Sequence, residues 1–119
     1  MNLYQDFQEL KVLNLDNKQL KTRRIAWEIL KRSSYRNRRL SDVSAEIFHK
    51  EGSILNNQER RFITMLVQGT VRLSGRLDWE LQQVFNGKFK DLKESLRILL
   101  RLGAYQLLYM NNVPDYAAV

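Results

Sequence analysis

The chain has no cysteine, a single histidine, a single proline and five glycines in its 119 residues. Without cysteine there is no disulfide framework, no thiolate metal site and no cysteine nucleophile. His49 stands alone, so a histidine metal site or a nucleophile–histidine pair lacks its parts, and beside Lys50 and Glu51 it reads as a surface residue. The glycines occur singly, which leaves nothing to build a phosphate-cradling loop. No apolar run approaches the ~20 residues of a membrane span. The N-terminus carries Asp6 and Glu9 and lacks the basic-then-apolar order of a signal peptide. Catalysis and a bound cofactor are therefore not expected of this stretch. The expected setting is the cytoplasm, which the lack of cysteine permits.

Hydrophobic residues make up 44% and charged residues 28%, the balance of a globular chain rather than a disordered one. Scarce proline and glycine, with no long alternation of apolar and polar residues, predict an all-α fold. Residues 1–17 read as a frayed leader or short helix, and residues 18–119 as one helical domain. The net charge of +7 is localised. Between Lys18 and Arg39 nine Lys or Arg residues stand against one acid, Glu28. Such a block predicts a polyanionic partner, nucleic acid first and a membrane surface second.

Apolar spacing gives five short-looped helices. The first is expected over Lys18–Ser33, capped by Asp16 or Asn17. At about 100° per residue it gathers Ile25, Ala26, Ile29 and Leu30 on one face, with Trp27 at the margin. Lys21, Arg24, Lys31 and Arg32 fall opposite, Arg23 lies apart near the helix start, and Arg36, Arg38 and Arg39 follow in the loop. Ser41 is the expected cap of a second helix, with Leu40 as staple and an inner edge of Val43, Ile47 and Phe48. Asn56 and Glu59 mark a third, burying Phe62, Leu66, Thr70 and Leu73 with Ile63, Val67 and Val71 beside them. A fourth carries Leu77, Leu81, Val84 and Phe85, and Asn86-Gly87 turns the chain. Asp91 and Glu94 suggest a capping box for a last helix, the expected central post, on a stripe of Leu92, Leu96, Leu99, Leu100, Gly103, Leu107 and Met110. Gly103 within the last helix predicts a close backbone contact, and Gly69 within the third a close helix contact. Asn111-Asn112 would end the post, and Pro114 would open another helix just as the chain stops, the mark of a fragment.

The wording of these helices is more specific than their pattern. Arg24, Ala26, Ile29 and Leu30 form one signature; Glu59, Arg60, Phe62, Gly69 and Arg72 form a second. A third runs through Leu100, Arg101, Gly103, Tyr105, Gln106, Leu107 and Leu108 to Val113, Pro114, Ala117, Ala118 and Val119. Together they resemble the NusB-like RNA-binding domain, in the version found at the N-terminus of bacterial ribosomal RNA cytosine-C5 methyltransferases. Glu59 stands where that family usually has Asp, and Gln68 where it has Tyr. The resemblance implies an all-α bundle of five to six helices that lacks the family's last helices here. It implies RNA, ribosomal in kind, as partner, with a separate downstream domain performing methylation. The cysteine that such methylation requires, and a glycine-rich turn for S-adenosylmethionine, are missing from this stretch.

The candidate RNA-binding residues are Lys18, Lys21, Arg23, Arg24, Lys31, Arg32, Arg36, Arg38 and Arg39. By resemblance Lys21, Arg23 and Arg24 occupy the arginine-rich helix start that meets RNA. Arg72 and Arg101 are expected to pair with acids inside the fold; Trp27, Trp79, Tyr105 and Tyr109 could stack on unpaired bases but are expected to serve the core instead. Rival readings are an antitermination-type module that binds RNA only with a protein partner, and a helix-turn-helix DNA binder. Apolar surface left uncovered would favour a homodimer.

Overall fold

The computed structural model describes residues 17–51 and 54–110, with side chains from residue 20. Among them lie five α-helices and no strand, in keeping with the all-α expectation. They are α1 (Asn17–Tyr35), α2 (Leu40–Lys50), α3 (Asn57–Arg72), α4 (Ser74–Val84) and α5 (Glu94–Tyr109), with a single 3-10 turn, Phe89–Asp91, before α5. The expected leader, Asp16, the Asn111-Asn112 stop and the Pro114 helix lie outside the described residues.

The post of the bundle is α3. It packs on each of the other four helices, whereas α5 packs on α1, α3 and α4. Ile63, Leu66 and Val67 are its fully buried residues, and they meet Ile25, Ala26, Ile29 and Leu30 of α1 and Val43 and Ile47 of α2 in one cluster. Each such side chain gains about 1.5–3 kcal/mol by leaving water. Phe62 and Leu73 flank this core, but Val71 faces out, half exposed. On α4, Leu77 is buried and Leu81 packs on the core, while Val84, expected inside, is exposed.

The last helix departs furthest from the stripe read in its sequence. Its buried residues are Ile98, Leu102, Ala104 and Tyr105, whereas Leu107 is 81% exposed. A helix that is apolar nearly all round offers periodicity no face to choose. Three helices touch this one, so only the face toward them is covered.

Local signals hold where a polar side chain has one partner to find. The Asn56 side chain accepts from the Glu59 amide at 2.7 Å, and Glu59 Oε1 accepts from the Asn56 amide at 3.0 Å, a complete capping box. Asn56→Ala should cost about 1 kcal/mol, within a span of ~0.5–2. A thermal melt lowered by roughly 4–8 °C would register that loss.

The other caps differ. Asn17 is already helical, α2 begins at Leu40 with Arg39 before it, and neither Arg39 nor Lys93 supplies a side-chain cap. Asp91 is absorbed in the 3-10 turn, and Glu94 accepts from the Ser34 hydroxyl instead of closing a box. Gly69 fulfils its expectation: a Cβ there would run into the ring of Tyr105, so glycine lets α3 and α5 approach. Gly103 does not, since nothing lies near the position of its missing side chain.

Candidate nucleic-acid interface

Helix α1 is held by its apolar face, which leaves the rest for charge. Its core residues Ile25, Ala26, Ile29 and Leu30 are all buried. Trp27 sits at the edge as expected and donates its indole N–H to the Ser95 carbonyl at 3.0 Å, tying α1 to the start of α5. The helix ends at Tyr35, and Asn37 takes a left-handed φ of 49°, which asparagine tolerates better than most residues. The Ser33 hydroxyl donates to the Arg38 carbonyl at 2.7 Å, and the Arg38 amide donates to the Ser33 carbonyl at 3.0 Å. The loop carrying Arg36, Arg38 and Arg39 is thereby fixed to the helix end.

The cations of this block divide into three sets. Arg24 and Arg36 are exposed and form no ion pair with a described residue, and Lys21 only donates to the Ile54 carbonyl at 3.3 Å. Lys31 and Arg32 share Glu28 at 3.3 and 3.1 Å, and the Lys31 ammonium also lies 3.7 Å from the Trp27 ring centroid. Arg38 meets Glu46 at 2.7 Å, and Arg39 reaches Asp42 at 3.9 Å while staying largely exposed. These are surface pairs, worth about 0–1 kcal/mol each, which a phosphate can displace.

Arg23 forms the third set alone. Its Nε donates to Gln106 at 2.6 Å, and its guanidinium lies 5.5 Å from the Phe62 ring centroid. Burial lowers its pKa. The side chain expected to meet a phosphate among the first instead turns toward α5. Lys18 lies on α1 with its side chain outside the described residues. Among the described residues, the ion pairs of this block draw on three acids, Glu28, Asp42 and Glu46, against eight cations with described side chains.

The acids of these pairs fix a pH response. Burial pushes Glu28 up, but hydrogen bonds from Arg32 and Lys31 outweigh it and leave the carboxyl below its ordinary 4.5. The hydrogen bond from Arg38, then its charge, holds Glu46 below the same value. Hydrogen bonds from Arg76, then Tyr109, do so for Glu80. A depressed folded pKa contributes stability above the unfolded value and loses it as pH falls through the folded one. The melting temperature should therefore hold between about pH 7 and 5 and fall below roughly 4.5. A melting temperature that rose in acid would contradict these pairings.

Elsewhere, Arg101 grips Asp78 in a fork, Nε to Oδ1 at 2.5 Å and Nη2 to Oδ2 at 2.8 Å, the internal pairing expected of it. Arg72 is exposed without an ion pair to a described residue, contrary to expectation. Tyr105 is core, stacked on Tyr109 at 6.3 Å between centroids. Tyr109 is exposed at the rim and donates its hydroxyl to Glu80 at 2.5 Å. Trp79, also expected inside, is 60% exposed. His49 is exposed, as expected. No helix among the described residues is long and apolar enough to cross a membrane.

Comparison with known proteins matches residues 20–119 to the NusB family. A probable ribosomal RNA small subunit methyltransferase B of Synechocystis is 40% identical over 65 residues, covering 55% of this chain and 15% of that protein. The probable Bacillus subtilis protein of that name is 38% identical over 65 residues, covering 55% and 14%. The ribosomal RNA small subunit methyltransferase B of Proteus mirabilis is 32% identical over 65 residues, covering 55% and 15%. The chain thus covers about one-seventh of the length of the curated relatives it matches. No solved structure matches it. A family match across residues 20–119 joins an all-helical bundle in which the signature residues Gly69 and Tyr105 pack on each other, and on these grounds the chain belongs to the NusB family.

Proposed function

We propose that this chain is a non-catalytic RNA-binding domain, the N-terminal part of a ribosomal RNA (cytosine-C5) methyltransferase, which holds ribosomal RNA for a separate catalytic domain. The observation that carries the reading is the cationic flank of α1 and its fixed loop, where Lys21, Arg24 and Arg36 form no ion pair with a described residue. Long cations on a rigid mount release counterions from phosphate and give salt-dependent, largely sequence-independent affinity. The names of the relatives favour ribosomal RNA as the polymer. The small share of their length that the chain covers favours chemistry located in another domain.

Fluorescence anisotropy with a labelled single-stranded RNA, competed by unlabelled RNA or duplex DNA of equal length, tests the reading. RNA should compete better than duplex DNA. Equal or stronger competition by the duplex would favour the DNA-binding rival. Tight capture of a protein partner with negligible affinity for RNA alone would favour the antitermination-type module.

A further inference from the structure

A second cationic surface lies away from α1, where α4, the 3-10 turn and the start of α5 enclose an open cleft of about 410 Å³. That volume lies within the range of small-ligand sites, roughly 300–1,000 Å³. Trp79, Phe89, Lys88, Lys90 and Arg97 line it, with Asp78 as its acid. Both Asp78 oxygens are already engaged by Arg101, so this carboxylate does little to offset the three cations. Lys88, Lys90 and Arg97 form no ion pair among the described residues, and Arg97 Nε is buried without a hydrogen-bond partner. The neighbouring Asp91 is exposed and does not line the cleft.

The cleft is held rigidly. The Gln82 side chain donates to the Gly87 carbonyl at 2.7 Å and accepts from the Phe89 amide at 2.8 Å, pinning the turn that carries Lys88 and Lys90. Phe89 is buried and packs edge-on to Phe85, with centroids 6.4 Å apart. Trp79 keeps most of its surface in solvent although the Arg76 guanidinium lies 5.7 Å from its ring centroid. An exposed indole among unpaired cations suits an unpaired nucleobase with its flanking phosphates better than an acidic peptide, which has no π-face to offer.

We infer that this cleft is a second RNA contact, in which a single-stranded base stacks on Trp79 while Lys88, Lys90 and Arg97 take the adjoining phosphates. It rests on RNA being the partner proposed above and adds a base-stacking contact to that phosphate grip.

Tryptophan fluorescence of the full chain, titrated with an unstructured RNA of about eight nucleotides, within the site sizes of single-strand binders, tests the inference. The wild type should be quenched in a way that Trp79→Phe is not, because Trp27 reports equally in both. Trp79→Ala should weaken affinity about 5- to 150-fold, the loss corresponding to one stacked base, with Trp79→Phe retaining most of it. Lys88→Ala with Lys90→Ala should flatten the salt slope by roughly 1.4. Circular dichroism melts of each variant establish that the fold is kept. Unchanged affinity in Trp79→Ala, or the same quench from oligoglutamate as from RNA, overturns the inference. If Lys21, Arg24 and Arg36 still govern binding in that case, the proposed function survives it. No RNA binding by the wild type overturns both.

Discussion

Leu66→Ala should cost the fold about 2–5 kcal/mol, while Leu107→Ala should stay within roughly 0.5 kcal/mol. Leu66 is fully buried at the middle of α3, where removing its side chain forfeits burial and leaves a cavity among Ile29, Val43 and Ile63 of the same cluster. Leu107 is 81% exposed at the end of α5. For a small domain, whose whole stability is about 5–15 kcal/mol, the first loss is a large share. Urea titrations of both variants, with slopes compared to the wild type, measure the difference. Similar losses would mean that Leu107 is covered and the exposed face of α5 is assigned wrongly.

Replacing Lys21, Arg24 and Arg36 together with alanine should weaken single-stranded RNA binding roughly 10- to 100-fold near 0.1 M salt. These three are chosen because none forms an ion pair with a described residue, so their removal subtracts charge without breaking a salt bridge. Arg23 is left in place: its bond to Gln106 and its contact with Phe62 would make a loss of binding inseparable from a loss of packing. Glu28→Gln provides the opposite sign. It frees Lys31 and Arg32 from their shared carboxylate and should tighten binding a few-fold, about the worth of one phosphate contact. Anisotropy titrations on all three proteins would measure both changes. An unaffected triple variant would remove α1 from the interface.

The sequence exposed some of these features more readily than others, for physical reasons. The inner face of α1 could be read because Ile25, Ala26, Ile29 and Leu30 share one side of a helix whose other positions are mostly polar. The Asn56–Glu59 box could be read because both residues sit at a helix start with no competitor. Asp91 and Glu94 have the same spacing, but a 3-10 turn takes Asp91 and Ser34 takes Glu94, tertiary partners that no local pattern reveals. The face of α5 was equally hidden, because leucines surround the helix and its neighbours alone decide which are covered. In the candidate interface, charge density was legible but pairing was not. Glu46 and Asp42, from the next helix, take Arg38 and Arg39. The cleft around Trp79 draws its cations from a turn and a different helix, and the only local hint was Lys88 and Lys90 flanking Phe89.

The central claim is that a cationic flank, rigidly mounted on α1 and the loop after it, grips an RNA backbone. The most direct test is the slope of log affinity against log salt for single-stranded RNA, measured on the wild type and on the Lys21, Arg24, Arg36 triple-alanine variant. Each lost phosphate contact flattens the slope by about 0.7, so the account predicts a difference of roughly 2 between the two lines. Parallel lines would contradict it.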